Sequence, residues 1–181
     1  MQGEIKRTDN KFLFIIDGTT AYWGTMVKKW FKRVKYLYNF KGELISESIF
    51  KFRLPFKIIH TIKFTETNQV LTLKFTGIFN PSFVCQCDDD LYKIIPHKGL
   101  KSSIFKNGKQ IGYYTDKQIE YLGWQTLFFV ANDDVCQNLI FSFILAIKCD
   151  FNNDYSTMSV DIGNFGPEVR KFDSSWSPNI F

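Results

Sequence analysis

Asn132 to Asn152, NDDVCQNLIFSFILAIKCDFN, is the stretch that decides the fold, because it is helix-length and apolar on every face. Val135, Leu139, Ile140, Phe141, Phe143, Ile144, Leu145, Ala146, Ile147 and Phe151 leave no polar stripe wider than Ser142 and Lys148. A surface helix would show such a stripe, so a helix over 132–151 has to be enclosed by the rest of the chain. The apolar run from Leu139 to Ile147 falls far short of the ~20 residues that span a bilayer, and no transmembrane segment is expected. Asp133 or Asp134 is placed to cap the first turn, where exposed amides and the positive end of the helix dipole favour a carboxylate. Lys148 lies near the opposite end.

Nearly everything before this helix reads as strand. Lys11 to Ile16, Val34 to Phe40, Leu44 to Phe52, Ile58 to Phe64, Val70 to Phe75 and Phe83 to Cys87 are short and rich in aromatic and β-branched residues. Tyr92 to Ile95, Ser103 to Phe105, Gln110 to Tyr114, Ile119 to Leu122 and Gln125 to Val130 continue the series. Lys41-Gly42-Glu43, Glu66-Thr67-Asn68, Asn80-Pro81, Asp88-Asp89-Asp90, Asn107-Gly108-Lys109 and Gly123 supply turns at strand-length spacing. Leu71 to Phe75 and Ile59 to Phe64 alternate apolar with polar, as antiparallel strands with one dry face do. So many strands favour closure. The expected fold is mainly β, a closed antiparallel barrel of about 10–12 strands around the buried C-terminal helix, followed by a tail.

Two patterns carry a family resemblance. One is the repeated unit of aromatic strand, Gly-containing turn and apolar strand, as in YLYNFKGELISES from Tyr36 and SIFKNGKQIGYY from Ser103; the other is the closing NDDVCQNLIFSFILAIKCDF from Asn132. Together, over roughly Lys11 to Phe151, they resemble the tubby C-terminal-like superfamily, which includes plant LURP-one-related proteins and phospholipid scramblases. The resemblance is nearest to small bacterial members and implies a barrel wrapped around a hydrophobic helix. The chain lacks a phosphoinositide-binding Lys-Arg motif of the tubby kind, a scramblase-like calcium loop and a cysteine-rich palmitoylation segment. The resemblance therefore implies a fold and not an activity.

At 181 residues, with 45% hydrophobic content and 20 Phe, the chain can bury a sizeable core as one domain. The expected division is an N-terminal extension over 1–10, a barrel over 11–152 and a tail over 153–181 packed on or across the barrel. MQGEIKRTDN lacks the apolar core of a secretory signal, which makes the cytoplasm the expected location, with peripheral contact at a membrane. Cys85, Cys87, Cys136 and Cys149 read as small buried hydrophobes, the first two on one face of a strand. In the tail, Gly163, Gly166, Pro167 and Pro178 favour an irregular path, while Phe165, Phe172, Trp176 and Phe181 argue against free exposure.

Charge is the best functional clue. Residues 1–74 carry a net charge of +8 and residues 75–181 a net of −3. The densest basic stretch is AYWGTMVKKWFKRVKYLY from Ala21, with Lys28, Lys29, Lys32, Arg33 and Lys35 set among Trp23, Met26, Val27, Trp30, Phe31, Val34 and Tyr38. The apolar residues follow helical spacing, which fits an amphipathic helix at a membrane interface. The same stretch also fits a helix packed on the barrel, or two strands with Lys-rich turns. Those five cations are the candidate ligand-binding residues, and the candidate partners are an anionic membrane surface or another protein.

Other constellations are weaker. Lys51, Arg53, Lys57 and Lys63 with Phe52, Phe56 and Phe64 resemble a nucleic-acid stacking surface, but a solvated sheet face looks the same, so nucleic acid is not the expected partner. Asp88-Asp89-Asp90 reads as a solvated turn before it reads as a cation site. His60 and His97 stand apart from any nucleophile elbow, phosphate loop or paired carboxylates. No catalytic residue, metal or cofactor is expected. The functional expectation is a non-enzymatic tubby-like domain contacting anionic phospholipid or another acidic ligand through its basic face. The alternative is a protein-interaction module, an adaptor or inhibitor of another bacterial protein, using the aromatic tail or a sheet face.

Overall fold

Asp17-Gly18 and Asn107-Gly108 adopt left-handed backbone angles, with φ of 49° and 76° in the first pair and 50° and 80° in the second. Such two-residue turns match the twist of the strands they join and send each chain straight back along its neighbour. In the computed structural model, which describes residues 1–7, 10–29, 32–53, 57–77, 81–97, 101–121, 124–148 and 171–179, twelve strands follow one another in this way. They are β1 (Gln2–Arg7), β2 (Lys11–Ile16), β3 (Thr19–Lys29), β4 (Lys32–Asn39), β5 (Leu44–Arg53), β6 (Lys57–Phe64), β7 (Val70–Phe75), β8 (Phe83–Cys87), β9 (Asp90–His97), β10 (Lys101–Lys106), β11 (Lys109–Tyr121) and β12 (Trp124–Ala131). Each pairs antiparallel with the next, and β1 pairs with β12 in the register Gln2↔Val130 to Arg7↔Gln125, which closes the barrel.

The helix α1 (Gln137–Lys148) runs through the middle. All residues from Leu139 to Ile147 are buried, and their partners come from strands all round the barrel. Phe141 meets Phe14 of β2, Tyr22 of β3 and Phe129 of β12 at centroid distances of 4.9, 5.0 and 5.1 Å. Phe143 meets Tyr92 of β9 at 5.6 Å. Ser142 shares a 2.7 Å hydroxyl contact with Ser46 of β5. An α-helix with its side chains is ~10–12 Å across, which an eight-stranded barrel already filled by its own side chains cannot admit and a wider one can. Each fully buried Leu, Ile or Phe contributes ~1.5–3 kcal/mol, so the helix supplies a large share of the core's gross stabilisation. The outward row is different: Glu47, Lys63, Lys74 and Lys93 point away from the core, the reverse of the apolar belt of a barrel that spans lipid. No helix among the described residues is long and apolar enough to cross a membrane.

Several boundaries differ from the sequence expectations. Residues 2–7 are not an extension; they form the strand that closes the barrel, with Ile5 in the core. For Ala21 to Tyr38 the two-strand alternative holds and the helical ones do not: its described residues belong to the paired strands β3 and β4. The two expected strands at 110–114 and 119–122 are parts of one strand, β11, whose pairing with β12 shifts between Thr115 and Ile119. The helix begins at Gln137 rather than Asn132, so neither Asp133 nor Asp134 caps it, and Ile140 donates its backbone N–H to the Cys136 carbonyl at 3.2 Å. Cys136 is consequently exposed, whereas Cys85 is buried. The expectations for Trp30, Phe31, Asn80, Gly123, Cys149, Phe151 and tail residues 153–170 lie outside the described residues.

Candidate functional site

Strict antiparallel order puts the tips of β3–β4 and β5–β6 side by side at the end of the barrel where α1 finishes. In β3–β4 the register sets Lys28 opposite Arg33 and Lys29 opposite Lys32. Next to them, β5 ends in Lys51, Phe52 and Arg53, and β6 starts with Lys57 opposite Arg53. Two basic stretches that are separate in sequence thus converge on one end of four consecutive strands. Lys28, Lys32 and Lys51 are exposed and Arg33 is half-buried; for Lys29, Arg53 and Lys57 the strand position is what the structure describes. Among the described residues, the acidic positions Asp116 and Glu120 at this end belong to β11, across the barrel.

Lys35 leaves this group. Its position on β4 faces inward, opposite Met26, and its side chain is fully buried. Nζ donates to the Ala146 carbonyl in the last turn of α1. The terminal carbonyls of a helix lack intrahelical partners and carry the negative end of its dipole, so a buried ammonium there meets two needs at once. The sequence expectation that Lys35 lies on the ligand surface is therefore corrected. Of the five candidates, Lys28, Lys29, Lys32 and Arg33 share a tip, and Lys35 is an internal cap.

The polar interior around Lys35 includes Ser48, directly opposite it on β5, and His60 on β6. His60 sits between the Phe50 and Phe83 rings at 5.5 and 5.7 Å. Burial, and then the nearby Lys35 charge, hold its pKa well below the ordinary histidine value, so the imidazole is neutral. His97 lies on the outer face, buried, with Nε2 2.9 Å from Ser103 Oγ. Burial pushes the Cys85 thiol up to about 11, which suppresses its thiolate. Asp90 pairs with Lys106 at 2.8 Å and accepts from Asn107 Nδ2 at 2.8 Å, which lowers its pKa. No group of three or more His, Cys, Asp or Glu able to hold a metal occurs among the described residues.

Described tail residues 171–179 lie on the outside of the barrel, which the tail's aromatic content foreshadowed without indicating where. Phe172 packs on His97 and Tyr113, and Trp176 donates Nε1–H to the Gln110 carbonyl at 3.2 Å. The barrel with its central helix defines the chain's class by architecture. Compared with protein-family models, curated proteins and solved structures, the chain has no match.

Proposed function

We propose that this is a non-enzymatic, tubby-like domain that makes reversible peripheral contact with an anionic phospholipid surface through Lys28, Lys29, Lys32 and Arg33. The observation that carries the reading is the register: two pairs of like charges face one another directly across the β3–β4 tip. Positive charge gathered in this way at one strand tip attracts an anionic surface. Lys51, Arg53 and Lys57 extend the positive field over the neighbouring tip. Each basic residue near an anionic membrane contributes ~1 kcal/mol, so the four together account for up to about three decades in affinity at low salt. A cytoplasmic site of action fits this role, since the inner leaflet is the anionic one.

Sedimentation with vesicles of neutral phosphatidylcholine, with and without phosphatidylserine, tests the reading. Binding is expected only with the anionic lipid, weakening as salt rises, and lost when Lys28, Lys29, Lys32 and Arg33 are all changed to Gln. Wild-type protein that ignores anionic vesicles at low salt overturns it. The second reading, a module that binds another protein, is favoured by the aromatic segment held on the outer face. An apolar protein interface would tolerate salt that disperses lipid binding.

A further inference from the structure

The segment 171–179, KFDSSWSPN, is held as a bound peptide is held. Phe172 stands edge-on to Tyr113 and His97 at 5.0 and 5.7 Å, with Lys101 Nζ 4.2 Å from its centroid. Four residues on, Trp176 meets the same Tyr113 ring at 5.8 Å and hydrogen-bonds the Gln110 carbonyl. Asp173 Oδ1 accepts from Ser175 N at 2.9 Å and Ser175 Oγ at 2.6 Å, a local turn that sets the spacing of the two rings. Beyond it the main chain is gripped from both sides: Asn179 N donates to Asn132 Oδ1 at 3.0 Å, and Asp133 N donates to the Asn179 carbonyl at 3.4 Å. Two aromatic anchors and a main-chain clasp are the ordinary means of recognising a short peptide.

We infer that the outer face of β9, β10 and β11, with His97, Lys101, Tyr113, Gln110 and Asn132, is a peptide-recognition site, and that segment 171–179 of a second copy of this chain exchanges into it. The contacts that hold the segment require only its own residues, and a second copy presents the same atoms. Residues 149–170 separate the segment from α1, a contour of up to roughly 75 Å at ~3.3–3.6 Å per residue, long enough to reach a neighbouring barrel. In one molecule the tethered segment competes at high local concentration, so exchange grows with protein concentration. The inference is independent of the lipid reading.

Two full-length variants test it by complementation. F172A/W176A keeps the site and loses the anchors; Tyr113→Ala keeps the anchors and loses the ring that both of them touch. Light scattering after size exclusion is expected to give the 21.3 kDa monomer for each alone and a doubled mass when they are mixed, at low and at high salt. Should Tyr113→Ala melt below the assay temperature, a labelled KFDSSWSPN peptide added to F172A/W176A replaces the mixture; should F172A/W176A melt, Trp176→Ala alone takes its place as the target. The peptide should bind saturably to F172A/W176A, whose own segment no longer fills the site, more weakly to wild type, whose tethered segment competes, and lose binding when its Phe and Trp become Ala. No doubled mass from two folded variants overturns the exchange, and a peptide that fails to bind overturns the site.

Discussion

Lys35 and Lys28 lie on neighbouring strands of one hairpin and are chemically identical, and the register sets both on the face that Met26 shares, yet depth gives them opposite roles: Lys35 reaches the end of α1 inside the barrel, and Lys28 is exposed at the rim. Lys35→Ala removes both packing and the donor to the Ala146 carbonyl, and is expected to cost ~2–4 kcal/mol of stability. Lys35→Met keeps most of the packing and should cost less, whereas Lys28→Ala should change stability by under about 0.5 kcal/mol. Thermal melts of the three variants check the order, and equal losses for Lys28 and Lys35 would contradict the cap. His60 sets the pH dependence. Because its folded pKa is depressed, the unfolded chain binds the extra proton first: the stability is fully present above pH ~6.5 and is lost as pH falls from there towards the folded pKa. The slope from this one group is at most ~1.4 kcal/mol per pH unit, and His60→Phe should flatten melting curves measured from pH 7.5 down to 5. A further readout is thiol alkylation. Exposed Cys136 should react in the native state, and Cys85 only on unfolding.

At the scale of elements, α1 was legible because no amphipathic alternative existed for its sequence, but its start was not. The dipeptide Asp133-Asp134 looks like a cap, yet Asp133 N and Asn132 Oδ1 are engaged with Asn179, and the chain turns before the helix begins. A charge in the helix centre tests its enclosure. Phe143→Asp would place a carboxylate among Tyr92 and other core residues, costing several kcal/mol against a total stability of ~5–15 kcal/mol, so loss of the cooperative melt is expected. A soluble variant with an unchanged melt would place the helix on the periphery. In β3–β4 the apolar spacing of Trp23, Met26, Val27 and Val34 imitated a helix. Trp23 instead stacks on Tyr38 at 4.1 Å across the strands, an outward pair, while Met26 faces in. The Asp17-Gly18 turn, followed by β-branched Thr19 and Thr20, was the signal that would have separated the readings.

For the whole molecule the decisive feature is the seam between β1 and β12, whose partners are far apart in the chain, as in Gln2↔Val130. QGEIKR has one large apolar residue, too little for a strand pattern, and the pairing that makes it a strand is entirely non-local. Gly3 marks the seam. A Cβ there would stand 2.7 Å from the Phe129 ring and against the Ile15 carbonyl, so neither neighbour leaves room for a side chain. Gly3→Val is expected to destabilise the barrel by more than ~2 kcal/mol and to raise amide exchange along β1 and β12 ahead of the other strands. Uniform exchange in the variant would show that the seam is no weaker than the rest. Replacing Lys28, Lys29, Lys32 and Arg33 with Gln should leave the melting temperature nearly unchanged, because charges at an exposed strand tip contribute little to folding. A large drop would mean that those side chains hold the fold rather than face a ligand.

Local chemistry alone determined the class of this protein. Period-two strands, Gly and Asn turns and a helix without a polar face admit few arrangements besides a barrel that encloses the helix, because exposed apolar surface and unpaired strand edges are both costly. Which end of the barrel is basic, which lysine faces the core and where the tail docks depended on register and closure. Those are relations between residues distant in sequence, and a shift of one position in register exchanges the inner and outer faces of a strand. Tertiary structure therefore decided the separation of Lys35 from its four neighbours and the meeting of Lys28–Arg33 with Lys51–Lys57, since only strand pairing brings or keeps such groups together.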